Sequence, residues 1–255
     1  MSSEVLIQER RGAVTLISLN RPERANAINR ALLASLQAVQ HDLVSDKETR
    51  AVVITGIGGN FCAGVDLAEA LNGESVATGG SFEFDRIPQP VIAAINGSAQ
   101  GGGLELALAC DYRIASATST FGLPEVQFGE LPMLGGTVRL ARVVGVSVAK
   151  RLILTGDSID AEEALKIGLV DEVVEKDAVL TRALGLADRI ALNPDFAVRT
   201  GKRLIDQSLE SDLDSALSRE QAEVAGMASD EEREAARRDL ARRNPLYKKL
   251  FSKDR

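Results

Sequence analysis

From Ala13 to Leu19 the chain reads Ala-Val-Thr-Leu-Ile-Ser-Leu, almost entirely apolar or β-branched, and the run stops at Asn20-Arg21-Pro22. Proline has no amide to give a ladder, so the pattern predicts a strand that runs into a loop. Between about Asn29 and Val44 the apolar residues Leu32, Leu33, Leu36, Val39 and Leu43 return at helical spacing, which predicts one amphipathic helix. Ala51-Val-Val-Ile-Thr-Gly56 is a short continuous run closed by glycine, the mark of a buried strand. Strand, helix and strand in this order predict a βαβ crossover and a parallel sheet.

The stretch Asn72 to Ser81 holds three glycines among small polar residues, so a mobile surface loop between short helical pieces is expected. Pro90-Val-Ile-Ala-Ala-Ile95 is a further buried strand ended by Asn96-Gly97, and Gly101-Gly102-Gly103 opens a short buried helix over Leu104 to Cys110. Strand character resumes at Asp111 to Ala115 and Ser119 to Phe121. From about Gly136 helical patterns dominate, with starts at Ser158-Ile-Asp160 and Asn193-Pro194, and the last third reads as all-helical. Residues 212 to 243 carry many charges of both signs, including Arg237, Arg238, Arg242 and Arg243. A solvated helix face accounts for most of them; an anion contact or a subunit seam is the other reading.

Composition narrows the class without naming an activity. At 255 residues the chain is one large domain or a core with a smaller appendage. A hydrophobic fraction of 45% with 4% aromatic residues and no tryptophan predicts an aliphatic core. The net charge of −7 argues against nucleic acid and anionic membranes as partners, so any polyanionic ligand must be held locally. No segment approaches 18 consecutive apolar residues, and neither the Met-Ser-Ser-Glu start nor the Ser252-Lys253-Asp254-Arg255 end carries a targeting pattern, so a cytoplasmic protein is expected. Cys62 and Cys110 are too few and too far apart for a disulfide framework or a zinc site and read as buried thiols. The one histidine, His41, falls in the amphipathic segment as a solvated position, which disfavours hydrolase triads and multi-histidine metal sites.

Candidate chemistry lies in Asn96-Gly-Ser-Ala-Gln-Gly-Gly-Gly-Leu-Glu-Leu-Ala107, followed twenty residues after Glu105 by Phe121-Gly-Leu-Pro-Glu125. Three glycines between a strand and a helix leave backbone amides uncovered at a helix end, where an anion or developing oxyanion can be held. Taken alone, the glycines favour a tight turn in which they are needed only for close packing. Glu105 shifts the balance, because it sits among Leu104, Leu106, Ala107, Leu108 and Ala109 with no neighbouring base, and a buried carboxylate must be paired, hydrogen-bonded or useful. An exposed helix-start glutamate is the alternative. Glu125 follows a proline near a strand end, and two carboxyls in one apolar cleft can divide acid and base duties. A second glycine site, Gly56-Ile-Gly-Gly-Asn-Phe-Cys-Ala-Gly64-Val-Asp66, supplies further amides for an oxyanion hole. Neither site fits a dinucleotide or phosphate-loop pattern.

Taken together, Leu19 to Glu23 with Asn26 to Asn29, Phe61-Cys-Ala-Gly-Val-Asp66, Pro90 to Gly97, Gly101-Gly-Gly-Leu-Glu-Leu106, Phe121 to Glu125, and Leu154-Thr-Gly156 with Ala161 to Val170 resemble the crotonase superfamily, the enoyl-CoA hydratase/isomerase fold, along almost the whole chain. The resemblance implies an α/β fold, a crotonase-like superhelix of ββα units over residues 1–195, with a helical C-terminal trimerisation region over 196–255. It implies that the Ala63 and Gly102 amides bind a thioester oxygen, and that Glu105 and Glu125 hold and activate water. It places the coenzyme A adenosine near Arg24, Ala25 and Ala27, with Val65, Asp66 and Leu67 in the same groove; Arg24 is either a phosphate contact or a plain surface arginine.

The expected activity is reversible hydration of a trans-2-enoyl-CoA by a homo-oligomer, trimer or hexamer, with no metal and no cofactor beyond the coenzyme A of the substrate. Isomerisation or a specialised acyl-CoA dehydration is the alternative, and noncatalytic acyl-CoA binding is a remoter one. Relatives carry about Pro-Gly-x-Gly-Gly after the second glutamate, where this chain has Leu131-Pro132-Met133-Leu134-Gly135-Gly136. Met133 and Leu134 are therefore expected to reshape the acyl pocket. Ala68 stands where relatives often have lysine, and Arg233-Glu-Ala-Ala236 replaces the usual Arg-Glu-Gly with its aromatic.

Overall fold

The computed structural model describes residues 4–72 and 82–244, so the predicted loop Asn72–Ser81 lies almost wholly outside the described residues. Its strands are β1 (Leu6–Arg11), β2 (Val14–Leu19), β3 (Ala51–Gly56), β4 (Val91–Ile95), β5 (Ala99–Gln100), β6 (Tyr112–Ser116), β7 (Thr120–Gly122), β8 (Ile159–Asp160) and β9 (Glu172–Val174). The main sheet runs β1-β2-β3-β4-β6-β9; β1 lies antiparallel to β2, and every later neighbouring pair is parallel. A small second sheet pairs β5 parallel and β8 antiparallel with β7.

The predicted crossover is present: α1 (Arg30–Ser45) joins β2 to its parallel partner β3. It starts where Asn29 accepts a hydrogen bond from the Leu32 amide, buries Leu32, Leu33, Leu36, Val39 and Leu43, and leaves His41 exposed. β3 and β4 are buried along their whole length, and successive residues turn to opposite sides. Val52 and Ile54 of β3, with Val91, Ala93 and Ile95 of β4, join the cluster that contains the apolar face of α1 and most of α3 (Gly102–Leu108). Val53, Ile92, Ala94 and Ile114 face the other way onto Val179, Ala183 and Ala187 of α7 (Val179–Ala191). Cys62 and Cys110 are buried free thiols.

Four strands were not anticipated, β1, β5, β8 and β9, of which β5 and β8 are two-residue pairings in the small sheet. β1 has charged, largely exposed residues along an edge, so its sequence lacks a core pattern. β9 corrects the all-helical reading of the last third: three half-buried residues extend the sheet beside β6 and carry too little periodicity to stand out. The predicted helix start at Asp160 is observed, since its carboxylate accepts from the Glu163 amide at the head of α6 (Ala161–Lys166), the helix that follows α5 (Val146–Thr155).

Contacts divide the chain into residues 1–191 and 192–255. The second unit contains α8 (Asp195–Ser208), α9 (Leu213–Gly226) and α10 (Asp230–Arg243), none of which has a buried residue. Arg203 of α8 makes a forked pair with Glu223 of α9 at 2.8 and 2.9 Å, and Ser229 with Glu232 forms a reciprocal cap on α10. Pairs such as Arg243 with Asp239 make α10 a solvated, salt-bridged helix.

Candidate active site

Glycine lets the two candidate loops touch. A Cβ added to Gly97, after β4, would lie 2.1 Å from the Gly59 carbonyl oxygen, and one on Gly103 would lie 2.3 Å from that of Cys62. Neither contact tolerates a side chain. Asn26 stitches in a third segment: it is buried at φ 57°, accepts from the Arg21 amide, and donates to the Ile57 and Asn60 carbonyls at 3.0 and 2.9 Å. Asparagine tolerates this left-handed conformation better than other non-glycine residues.

That third segment decides which amides are free. Ile28 donates to the Gly64 carbonyl at 2.7 Å and accepts from the Asp66 amide at 2.9 Å, an isolated parallel bridge with Val65. In such a bridge the Val65 amide faces away from Ile28, and it has no acceptor among the described residues. The Ala63 amide, by contrast, donates to Ala25 at 3.0 Å. This corrects the expectation for Ala63: its N–H is already used, and the free donor lies two residues on.

Gly102 stands at the first turn of α3, where no intrahelical acceptor exists, and its amide also lacks a partner among the described residues. A Cβ added to Gly64 would lie 3.4 Å from the Gly102 nitrogen, and one on Gly102 would lie 3.7 Å from Val65 Cγ2. The Val65 and Gly102 segments are thus neighbours.

Glu105, one turn further along α3, is 2% exposed. Its Oε1 accepts from the Leu134 and Gly136 amides, each at 2.7 Å. Gly136 opens α4 (Gly136–Val144), so the carboxylate sits at a helix end whose partial charge favours an anion. Burial nevertheless dominates: together with the charge of Glu125 it outweighs the two amides and the more distant Arg139, and the proton affinity rises to about 7.

Glu125 lies on the 3-10 turn Pro124–Phe128 that follows β7. It is half-buried, its Oε1 would lie 2.7 Å from a Cβ added to Gly101, and its buried Oε2 has no partner among the described residues. Burial raises its proton affinity, partly offset by its own backbone amide. Glu105, Glu125 and Gly102 are therefore gathered around the start of α3.

The predicted binding residues are less uniform. Arg24 is exposed on the turn Pro22–Arg24, Ala25 is half-buried at φ 48°, and Ala27 is buried. Asp66 is buried and paired to Arg21 at 2.9 Å, while Arg21 also donates to the Ala27 carbonyl. Burial alone would raise the Asp66 proton affinity, but Arg21, the Ala68 amide and Arg24 hold it below the usual carboxylate value. Its side chain locks the loop. Leu67, at the head of α2 (Leu67–Leu71), is exposed. Met133 is 51% exposed, whereas Leu134 is buried with Cδ1 3.3 Å from a Cβ added to Gly102. Of that pair it is Leu134 that reaches the glycines. Sequence reasoning missed the Val65 amide as a donor, the Leu134 and Gly136 amides on Glu105, and Arg139; the amide roles follow from loop pairing that no residue type announces.

Among the described residues no cluster of three or more histidine, cysteine, aspartate or glutamate side chains is placed to hold a metal. None of the described helices is long and apolar enough to cross a membrane. An oxygen set between two free amides and beside two carboxyls of raised proton affinity can be stabilised as an anion while protons are given and taken next to it.

The model of the enoyl-CoA hydratase/isomerase family matches residues 9–249. A short-chain-enoyl-CoA hydratase of Clostridium acetobutylicum is 41% identical over 222 residues, covering 84% of this chain and 85% of its own. A 2,3-dehydroadipyl-CoA hydratase of Escherichia coli is 38% identical, covering 95% of this chain and 98% of its own. The crystal structure of an enoyl-CoA hydratase from Mycobacterium tuberculosis superposes with a TM-score of 0.87 at 35% identity, covering 95% of this chain and 97% of that one.

Proposed function

Since the chain belongs to the enoyl-CoA hydratase/isomerase family, we propose that it adds water reversibly across the double bond of a trans-2-enoyl-CoA, with Glu105 and Glu125 as the acid/base pair and the Val65 and Gly102 amides as the oxyanion hole. One observation carries this reading: a buried and a half-buried carboxyl converge on the start of α3, where two neighbouring segments each leave an amide unpaired.

The thioester oxygen takes up charge as hydroxide adds to the β-carbon, and the two amides stabilise that enolate-like state. Each donor is worth roughly 3 kcal/mol of barrier. The carboxyl that carries the proton gives it to the α-carbon; the ionised one takes the proton of the attacking water. One proton leaves the pair and one arrives, so addition ends with the proton on the opposite carboxyl. Burial raises both affinities, that of Glu105 to about 7, so a proton is available to the pair near neutrality, as this exchange requires. Adding water changes no net oxidation level, so the step calls for no redox partner.

The groove for coenzyme A is assigned to Arg24, Ala25 and Ala27 with Val65 and Leu67; Asp66 supports it through Arg21. Leu134, packed beside Gly102, supports selection on the acyl shape next to the thioester, and this favours a substituted or specialised acyl group as a second reading within the same chemistry.

The test is a graded series of enoyl-CoA thioesters, followed by loss of the conjugated double bond and by product mass. A gain of one water is expected; an unchanged mass would mean bond migration instead. Glu105→Gln should lower turnover by about a hundred- to ten-thousand-fold while the acyl-CoA still binds. Undiminished turnover in that variant would reject the assignment.

A further inference from the structure

Arg139 lies in α4, one turn beyond the two amides that hold Glu105. Its guanidinium forks onto Asp85, Nε to Oδ2 at 2.8 Å and Nη2 to Oδ1 at 3.1 Å, and Nη2 also donates to the Phe82 carbonyl at 2.6 Å. Its remaining nitrogen, Nη1, donates to the Leu134 carbonyl at 3.2 Å. Leu134 is the residue whose own amide donates to Glu105. Between them stands Gly135 at φ 114°, and a Cβ added there would lie 1.9 Å from Arg139 Nη1. Only glycine fits, both for its backbone angle and because the guanidinium occupies the space.

We propose that Arg139, held by Asp85, is a positioning residue for Glu105: it clamps the loop 134–136 that presents two amides to the carboxylate and keeps a fixed positive charge behind that loop. The Arg139 amide anchors the same loop from its backbone side, donating to the Gly135 carbonyl at 2.9 Å. Without the side-chain clamp, the Leu134 and Gly136 amides, on either side of a left-handed glycine, lose the fork that fixes their aim at Oε1. The fork matters because it spends four of the five donor N–H groups on fixed acceptors, which a lysine cannot reproduce.

The charged groups that face Glu105 are Glu125 from the Pro124–Phe128 turn and Arg139 from α4. Arg139 is faced in turn by Asp85 from the Phe84–Arg86 turn. Arg139 lowers the proton affinity of Glu105 and Glu125 raises it, so removing the guanidinium moves Glu105 toward the protonated form. The inference rests on the hydration reading for its effect on rate, but its effect on Glu105 is measurable without turnover.

Arg139→Gln, Arg139→Lys and Asp85→Asn should be compared in the full-length chain by the pH dependence of kcat and KM, and by a carbon-13 titration of the Glu105 carboxyl, assigned by its loss in Glu105→Gln. Arg139→Gln should lower kcat by about ten- to a hundredfold, as small misplacements of a reacting group do, with KM little changed. It should raise the Glu105 midpoint by about half a pH unit or more. Arg139→Lys should return the midpoint and only part of kcat. If Arg139→Gln fails to fold, Asp85→Asn decides, with a loss in kcat of about threefold or more expected. The idea is overturned if folded Arg139→Gln keeps both its Glu105 midpoint and its kcat, if Lys and Gln lose kcat equally with the midpoint unmoved, or if Asp85→Asn turns over as wild type does. Should Glu105→Gln itself remain active, hydration by this pair is wrong, and the midpoint in Arg139→Gln still decides whether the clamp acts on Glu105.

Discussion

Glu105 would be an unfavourable residue in a hydrophobic helix if it had no partners, and its environment explains both its persistence there and its altered acidity. Two amides and a helix end support the ionised form, while near-complete burial and Glu125 oppose it, leaving the affinity raised to about 7. Stability must therefore depend on pH in a direction opposite to that of an ordinary salt-bridged carboxylate. The folded-state affinity lies above the ordinary value of 4.5, so between these limits the native chain binds more protons than the unfolded one. The contribution is fully present below the unfolded value and is lost as pH rises toward 7, by up to about 3 kcal/mol. Thermal melting from pH 5 to pH 8 should show this decline, and Glu105→Gln should flatten it. A melting temperature that rises over this window through Glu105 would contradict the burial argument. At this scale the sequence was most informative where chemistry and context clashed, as for Glu105 among leucines. It was least informative where function rests on a backbone group. Ala63 and Val65 are equally ordinary residues, and only the pairing of Ile28 with Val65 and of Ala25 with Ala63 shows which amide is spent.

Between residue and fold lies the strand-loop-helix unit, used twice: β3 leads through Gly56–Asp66 to α2, and β4 leads through β5 to α3. The loops interlock by backbone contact, with Gln100 donating to Cys62 at 3.0 Å and Gly103 packed on the same carbonyl. Gly103 is the sharpest test of this unit. Its conformation is ordinary helix, so an alanine there would be welcome on propensity alone. The added methyl, however, would meet backbone 2.3 Å away, and no side-chain rotation relieves it. Gly103→Ala should therefore destabilise the fold by roughly 1–3 kcal/mol, read as a lower denaturation midpoint, and weaken turnover by parting Gly102 from Val65. Equal or greater stability would show that the loops have slack. β3, β4 and α3 of this unit were legible because apolar runs broken by glycine are strong local signals, whereas the two-residue β5 was not. β1 and β9 were not, since an exposed charged edge and a three-residue strand acquire their character only from their neighbours. Arg139 was hidden for the same reason: Asp85 lies 54 positions earlier and the contact exists only in the folded chain.

Over the whole molecule the two units are stabilised very differently. Residues 1–191 contain the apolar clusters on both faces of the main sheet, whereas α8, α9 and α10 bury none of their side chains and expose Ile205, Leu209, Leu213 and Leu217. Helices of 14 residues are marginal in water on propensity alone. Ion pairs such as Arg203 with Glu223 add little at exposed positions, where water screens them. Apolar cover would add to this, and a further copy of the chain is the predicted partner, as the family resemblance leads one to expect. Light scattering on the purified protein should give a multiple of the 27.2 kDa chain mass. Replacing the most exposed of these leucines, Leu213→Glu, should shift that mass downward while the melting of the sheet-containing unit persists, because a charge cannot be buried unpaired in such a seam. A monomeric wild-type chain with fully helical residues 195–243 would show instead that this unit holds itself together, and the case for cover by a second copy would fall.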